Sequence, residues 1–361
     1  MREFFDGHVH IDWDTSLEDT IKGFDQISQI CGIEKRVFMS IPHIESKQID
    51  YLENARCLFF KKYYSPNAYA YYGLEHKEGL SESELKKDFL EQVKLALSSG
   101  FDGVKLLEGK PNVRQMFEYK LSDDVYDDMF TYLEQNGVPI TMHNADPIEF
   151  WDKSKMSDYA IKHGWGAGEM TKLQMHEDIA LLMKKHPNLK LSLAHFGFYA
   201  DERELGEEFL SYPNTMIDIT PGVKQYVIMS QDPEHYKKFF EKYQDRFKFG
   251  TDNCNISFDF EDGWYRTVTM QQTLMRNFFE TDWPHKTYIP EVDKDFYVGL
   301  KLDDKILDKI YYKNIENELK EPKKIDENYL KAKVQKAIDN PLSEKKQTIA
   351  KDILNKLEKN N

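Results

Sequence analysis

The chain has 361 residues, of which 40% are hydrophobic and 31% are charged, and its formal net charge at pH 7 is −14. This composition predicts a globular protein with a large core, and the negative charge argues against a nucleic-acid partner, because basic side chains are needed to neutralise phosphates. No apolar stretch approaches the ~18 residues of a membrane span, so we expect no membrane partner.

The N-terminal segment and the cysteines favour a cytoplasmic location. Asp6 and two histidines stand where a signal peptide would carry an apolar segment. The three cysteines, Cys31, Cys57 and Cys254, are widely spaced and form no Cys-x-x-Cys pattern. We therefore expect reduced thiols rather than a disulfide framework.

Strand and helix patterns alternate along most of the chain. Ser16 can cap a helix that runs toward Gly32, and an apolar run then predicts a strand. The predicted strands are a first one that leads into His8 and His10, and then 36–41, 68–72, 103–107, 138–143, 189–195, 215–219 and 247–252. The later helices are predicted over 52–63, 83–97, 123–135, 171–186, 202–210 and 235–243. Eight strands alternating with helices predict an α/β fold, a (β/α)8 TIM barrel.

Three segments lie outside this alternation. Residues 144–168 form a long irregular segment, which is typical of a lid or binding loop. Two closing helices are predicted over 265–279 and 305–319. From Pro322 onward an amphipathic pattern predicts a C-terminal helical extension, with a solvated charged tail as the alternative. We therefore divide the chain into a barrel over 1–320 and an extension over 321–361.

Residues with metal-binding side chains cluster at the predicted C-terminal ends of the strands. His8 and His10 are two residues apart, so they face the same way in a strand and can reach one ion. His143 ends the fifth strand, His195 the sixth and Asp252 the eighth. Each histidine alone could be a core or rim residue, but a barrel brings these strand ends into one pocket. Imidazoles with a carboxylate suit Zn²⁺ or another first-row dication.

A metal in such a pocket predicts hydrolytic chemistry. A bound divalent ion lowers the pKa of a coordinated water toward ~7 and so provides a hydroxide at neutral pH. Asp252 can accept the proton of that water, and His195 can polarise a substrate carbonyl or hold the leaving group.

Six motifs in this order resemble the amidohydrolase superfamily, and specifically its amidohydrolase-2 branch of hydrolases and decarboxylases, from about residue 3 to residue 319. They are Asp6-Gly7-His8-Val9-His10, Gly103-Val104-Lys105-Leu106, Met142-His143-Asn144-Ala145-Asp146-Pro147, His186-Pro187-Asn188-Leu189 with Ala194-His195-Phe196-Gly197, Phe249-Gly250-Thr251-Asp252, and Tyr312-Lys313-Asn314. The resemblance implies that His8, His10, His143 and Asp252 hold the metal and that His195 is the catalytic imidazole beside it.

Three residues are candidates for substrate binding. The Lys105 ammonium can bind a substrate carboxylate or balance Asp252. Trp151 can stack on the substrate or anchor the lid, and His163 lies in the same long segment. His43 and His76 follow the second and third strands, and a rim position is as good an interpretation for them as a place in the pocket.

We expect a metal-dependent hydrolase in which metal-bound hydroxide attacks an amide, ester or lactone carbonyl of a small molecule. The alternative is a non-oxidative decarboxylase of a small aromatic or unsaturated acid. A barrel that binds metal without catalysis is a third interpretation, which the presence of both Asp252 and His195 disfavours. We expect one divalent ion per chain, zinc, with Lys105 unmodified rather than carboxylated to bridge two ions. The state of assembly is open, with a homodimer as one alternative.

Overall fold

A computed structural model describes residues 2–11, 14–43, 46–156, 158–162, 165–166, 170–253, 268–286 and 296–359. Eight strands form one sheet, in which each strand pairs in parallel with the next along the chain. Helices connect successive strands, so the predicted (β/α)8 TIM barrel is confirmed.

The strands of the barrel are short and mostly buried. They are β1 (Phe4–Val9), β2 (Ile33–Met39), β3 (Ala68–Gly73), β4 (Gly103–Gly109), β5 (Pro139–Asn144), β6 (Lys190–Leu193), β7 (Met216–Asp218) and β8 (Phe247–Lys248). Two further strands, β9 (Pro284–Lys286) and β10 (Phe296–Val298), pair with each other in antiparallel fashion.

Helices cover the outside of the barrel and continue beyond it. The described helices are α1 (Leu17–Cys31), α2 (Tyr51–Tyr63), α3 (Glu82–Ser98), α4 (Pro111–Phe117), α5 (Asp124–Gln135), α6 (Asp158–Lys162), α7 (Lys172–Lys185), α8 (Arg203–Ser211), α9 (Val223–Met229), α10 (Pro233–Lys242), α11 (Val268–Glu280), α12 (Asp304–Asp308), α13 (Asn314–Glu318), α14 (Glu327–Asp339) and α15 (Glu344–Lys359). None of the helices in the described ranges is both long and apolar enough to cross a membrane.

The local signals for the helix ends act as expected. The Ser16 side chain accepts a hydrogen bond from the backbone N–H of Asp19 and so caps α1, which ends at Gly32 in a left-handed conformation. Thr171 and Gln174 form a capping box at the start of α7.

Hydrogen bonds between β1 and the segment after β8 close the barrel. The backbone N–H of Gly7 donates to Phe249 O over 3.0 Å, that of Asp252 to His8 O over 2.9 Å, and that of His10 to Asn253 O over 2.8 Å. The eighth strand was predicted over 247–252, but its ladder with β7 covers only Phe247–Lys248. Beyond Lys248, the backbone bonds to β1 through Phe249 O and Asp252 N.

Several elements were not predicted. The helix α4 is one of them, although Pro111 at its first position is a typical start signal. The helix α9 and the β9–β10 pair were also missed. Of the first predicted closing helix, residues 265–267 lie outside the described residues, and α11 covers the rest.

The C-terminal extension is helical and packs on the barrel. Val334 of α14 and Ile353 of α15 are fully buried and belong to the same hydrophobic cluster as Phe60 of α2. The predicted helical extension is therefore confirmed, and the alternative of a solvated tail is not. The domain boundary at residue 320 stays a prediction. Cys31 and Cys57 are buried free thiols.

We predict that Ile353→Ala lowers the free energy of unfolding by about 2–5 kcal/mol, because it leaves a cavity where the extension meets the barrel. Denaturant unfolding followed by circular dichroism measures this change. Leu342→Ala is the control, because that side chain is 42% exposed. Equal, small effects of the two substitutions would contradict a shared core.

Candidate metal centre

Three side chains from opposite ends of the chain converge at the barrel mouth. The Nε2 atoms of His8 and His10 lie 3.1 Å apart. Asp252 Oδ1 lies 3.4 Å from His8 Nε2 and 3.5 Å from His10 Nε2. Among the described His, Cys, Asp and Glu residues, these three form the one group with metal-ligand spacing, with donor atoms within 4.8 Å of one another.

Hydrogen bonds on the far side of each ring orient the two imidazoles. His8 Nδ1 is 2.6 Å from Asp218 Oδ2, and His10 Nδ1 is 2.8 Å from Met39 O. Because a carboxylate and a carbonyl oxygen can only accept here, both Nδ1 atoms carry the proton, and each Nε2 keeps a lone pair. Burial lowers the pKa of both imidazoles well below its usual value, so the rings are neutral.

This arrangement fits a cation. The Nε2 lone pairs of His8 and His10 lie 3.1 Å apart with a carboxylate oxygen beside them, and a positive charge relieves their repulsion. The Lys105 ammonium, 3.0 Å from His8 Nε2, supplies such a charge on one side only. Nitrogen and carboxylate donors suit zinc and other first-row dications. His8, His10 and Asp252 are therefore the residues that could hold a divalent ion.

The closing contact of the barrel fixes Asp252 opposite the two histidines. Asp6 Oδ1 accepts a hydrogen bond from Thr251 N over 2.9 Å, and Asp6 Oδ2 accepts one from the Thr251 hydroxyl over 2.7 Å. Asp252 itself has a left-handed backbone with φ of 51°, a conformation that costs a non-glycine residue about 1–3 kcal/mol. The bonds on either side of Asp252 hold it in place.

Two glycines make this close approach sterically feasible. A Cβ on Gly250 would lie 2.6 Å from His8 Cβ, and a Cβ on Gly7 would lie 2.9 Å from Phe249 O. Each distance is shorter than any normal contact of a Cβ atom, so a larger residue at either position would push β1 away from Asp252.

His195 lies beside Asp252, and its ring centroid is 6.0 Å from that of His8. His195 Nε2 is 3.7 Å from Asp252 Oδ2. Thr220 Oγ1 accepts from His195 N over 3.0 Å and lies 3.2 Å from His195 Nδ1, which fixes the ring. Burial lowers the pKa of this imidazole well below its usual value.

His143, the other predicted ligand, is turned toward a different partner. His143 Nε2 lies 3.1 Å from Asp146 Oδ1, and the same carboxylate binds Lys110 Nζ over 2.9 Å. The His143 ring is nevertheless close to that of His195, with centroids 4.9 Å apart. The structure does not bring His143 into the group of three, and its role as a ligand stays a prediction.

The predicted substrate-binding residues have different surroundings. Lys105 Nζ is buried and donates to His8 Nε2 over 3.0 Å, and burial lowers its pKa to about 8. Trp151 Nε1 donates to Met170 O over 2.7 Å, so its indole N–H holds the lid segment. His163 lies outside the described residues.

Three residues at the site were not singled out from the sequence. Asp218 orients His8, while Asp146 and Lys110 hold His143. Asp218 occupies the C-terminal end of a predicted strand, and Asp146 follows His143 by three residues. A carboxylate at such a position was the available signal for both aspartates.

A sequence model described as Amidohydrolase, Amidohydro_2, matches residues 84–317. The chain belongs to this amidohydrolase family. The predicted resemblance is therefore confirmed for the family. The matched range leaves out β1, so the placement of His8 and His10 in this amidohydrolase barrel depends on the geometry described above.

Solved structures share the amidohydrolase barrel at low sequence identity. The 2,6-dihydroxybenzoate decarboxylase from Rhizobium is 13% identical with a TM-score of 0.52, over 88% of this chain and 98% of that chain. The 4-oxalomesaconate hydratase from Rhodopseudomonas palustris is 14% identical with a TM-score of 0.50, over 87% and 95%. The dihydroxybenzoic acid decarboxylase from Polaromonas sp. JS666, solved with manganese and 2-nitroresorcinol, is 12% identical with a TM-score of 0.51, over 88% and 97%.

These likenesses establish the fold and not the reaction, because one barrel hosts many chemistries. No curated protein sequence matches the chain.

We predict that Asp218→Asn weakens the binding of zinc by about 10–100-fold, because the amide can no longer orient His8 as a carboxylate does. Competition with a chromogenic chelator measures the dissociation constant. Asp124→Asn is the matched control, since that side chain has a relative exposure of 70%. Unchanged zinc binding in Asp218→Asn would contradict a ligand role for His8.

Proposed function

We propose that this protein is a metal-dependent hydrolase that acts on an amide, ester or lactone carbonyl of a small molecule. The observation that carries the proposal is the position of Asp252, which faces the His8 and His10 nitrogens through Oδ1 and His195 through Oδ2. A carboxylate in this position can take up a proton beside the candidate ligands and share it with an imidazole.

The ligands proposed for one divalent ion, zinc, are His8, His10 and Asp252, with His143 as the fourth. When bound, such an ion acts as a Lewis acid that polarises a carbonyl and lowers the pKa of water. His143 would have to turn from Asp146 toward the ion, and Lys110 would remain to pair with that carboxylate.

The chain's own residues can move the protons that hydrolysis requires. Asp252 Oδ2 accepts a proton from the attacking water, and His195 Nε2, 3.7 Å away, protonates the leaving group and then takes up the proton held by Asp252. If the Thr220 hydroxyl donates to His195 Nδ1, the neutral ring carries its proton on Nε2 and can also polarise the carbonyl.

Substrate binding is assigned to residues around this pair. Lys105 is the proposed partner of a negatively charged or polar substrate group, because its ammonium lies next to His8. We retain Trp151 as a residue that shapes the pocket through the lid segment, and His163 as a predicted contact.

Decarboxylation of a small aromatic or unsaturated acid is the second candidate. The two dihydroxybenzoate decarboxylases that share the barrel over 88% of this chain are examples of such a reaction on this fold. In that reaction Asp252 or His195 would deliver a proton to carbon. Release of CO2 from β-resorcylate-type acids would support it, whereas cleavage of a lactone or N-acyl panel would support hydrolysis.

We predict that Asp252→Asn lowers turnover by about 10²–10⁴-fold, because the amide keeps the shape of the side chain but cannot take up a proton. His195→Ala should lower turnover while most of the metal stays bound, whereas His8→Ala should lose the metal first. Turnover and metal content are measured on the same preparations. Near-full activity of Asp252→Asn would remove this residue from the mechanism.

We also predict one divalent ion per chain. A second ion would need His143 and His195 as ligands together with a carboxylated Lys105, which would leave no imidazole beside Asp252 for proton transfer. Elemental analysis of the purified protein counts the ions, and crystal electron density at Lys105 shows whether this lysine carries an added carboxyl group. Two equivalents of metal would contradict the assignment.

A further inference from the structure

A small cavity lies beside the candidate metal centre, where β2, β3 and β4 end. Its lining includes Ser40, Gly73, Lys105 and Glu108. It has room for about one water molecule. Lys105 connects the cavity with the histidines, because it lines the cavity and its Nζ atom contacts His8 Nε2.

Two polar atoms of the lining residues have no hydrogen-bond partner. They are Glu108 Oε2 and Ser40 Oγ, and the two residues are 6% and 0% exposed. Buried polar atoms are nearly always hydrogen-bonded in folded proteins, since an unpaired one loses its hydration without compensation. A hydrogen-bond donor that enters the cavity would satisfy the carboxylate.

A chain of contacts fixes the orientation of Glu108. His76 Nε2 lies 2.9 Å from Glu108 Oε1, and the His76 ring stacks on Phe117 with centroids 3.8 Å apart. The backbone N–H of His76 donates to His43 Nε2 over 2.9 Å, and His43 Nδ1 donates to Ser46 O over 3.2 Å. Because Oε1 is engaged in this way, Oε2 is the oxygen that is left for the cavity. His43 and His76 thus act as positioning residues at the rim.

Lys105 supplies a donor on the other side of the cavity. His8 donates through Nδ1 to Asp218, so its Nε2 has a single lone pair, which accepts from Lys105. A metal ion bound at Nε2 would use this lone pair. The ammonium would then need another acceptor, and the cavity is the space that Lys105 shares with Ser40 and Glu108.

We propose that this cavity is the subsite for a hydroxyl group of the substrate and that Glu108 selects for it. A hydroxyl can donate to Glu108 Oε2 and accept from Lys105 or Ser40 at the same time. A carboxylate would meet repulsion from Glu108, an ammonium would meet repulsion from Lys105, and a methyl group would leave both unpaired.

The proposal rests on the proposed function, since it treats the cavity as part of the same active site. It narrows the substrate to a small molecule that carries a hydroxyl group in addition to the group that reacts. A water molecule offers the same hydrogen bonds as a hydroxyl, so the experiment must distinguish a substrate subsite from a permanent water site.

The test compares two probes on the zinc-loaded full chain by calorimetry: 2-hydroxybenzoate and benzoate, which differ by one hydroxyl. We expect the wild type to bind 2-hydroxybenzoate about tenfold or more tightly than benzoate, because a hydrogen bond to a charged group contributes a difference of this size. Glu108→Gln should abolish most of this preference, which is the ratio of the two affinities, so that a change in the binding of the shared carboxylate cancels. Direct binding of zinc by the hydroxyl contributes equally in all variants. Glu91→Gln is the control, since Glu91 is exposed on α3.

A preference that is equal in wild type and Glu108→Gln, or absent from both, would overturn the proposal and indicate a permanent water site. If Glu108→Gln does not fold, as judged by circular dichroism, Ser40→Ala replaces it and should reduce the preference in the same direction.

The binding experiment is independent of turnover. A Glu108-dependent preference in a protein that neither hydrolyses nor decarboxylates would support the subsite and contradict the proposed function. Turnover without that preference would support the proposed function and contradict the subsite.

Discussion

The backbone contact between β1 and residues 249–253 is the constraint on which the candidate site depends. It closes the barrel and places His8 and His10, from the start of the chain, against Asp252, from the end of the barrel. The contact is tight enough that both Gly7 and Gly250 must lack a side chain. Asp6 adds side-chain bonds to Thr251 across the same contact. A change that separates these two strands would therefore disrupt the fold and the site together.

Burial determines the charge state of the groups that this closure brings together. Desolvation lowers the pKa of His8, His10 and His195, so that they present lone pairs rather than positive charges. Asp218 is also buried, and desolvation raises its pKa to about 6. Asp218 Oδ2 binds His8 Nδ1, and Asp218 Oδ1 accepts a hydrogen bond from the backbone N–H of Thr220. The Thr220 hydroxyl in turn lies next to His195 Nδ1. One buried carboxylate thus connects the proposed ligand side of the centre with the proposed proton-transfer side.

The sequence predicts the barrel and the strand ends well because both follow from local patterns. The spacing of His8 and His10 suffices to put them on one face, and the alternation of strands and helices suffices to bring Asp252 to the same end. The pairing of side chains is different, because it depends on residues far apart in the chain. The turn of His143 toward Asp146 and Lys110, and the bond of Trp151 to Met170 O, could not be read from local patterns. The contact of His76 with Glu108 could not be predicted for the same reason, and the sequence left His76 open between the rim and the pocket.

The central claim is that His8, His10 and Asp252 jointly hold one divalent ion. Anomalous diffraction from crystals of the zinc-loaded protein, recorded on both sides of the zinc absorption edge, tests it directly. We expect a single strong peak within about 2.0–2.2 Å of His8 Nε2, His10 Nε2 and an Asp252 oxygen. A peak bound by other residues, or no peak at this position in a protein that retains its metal, would contradict it.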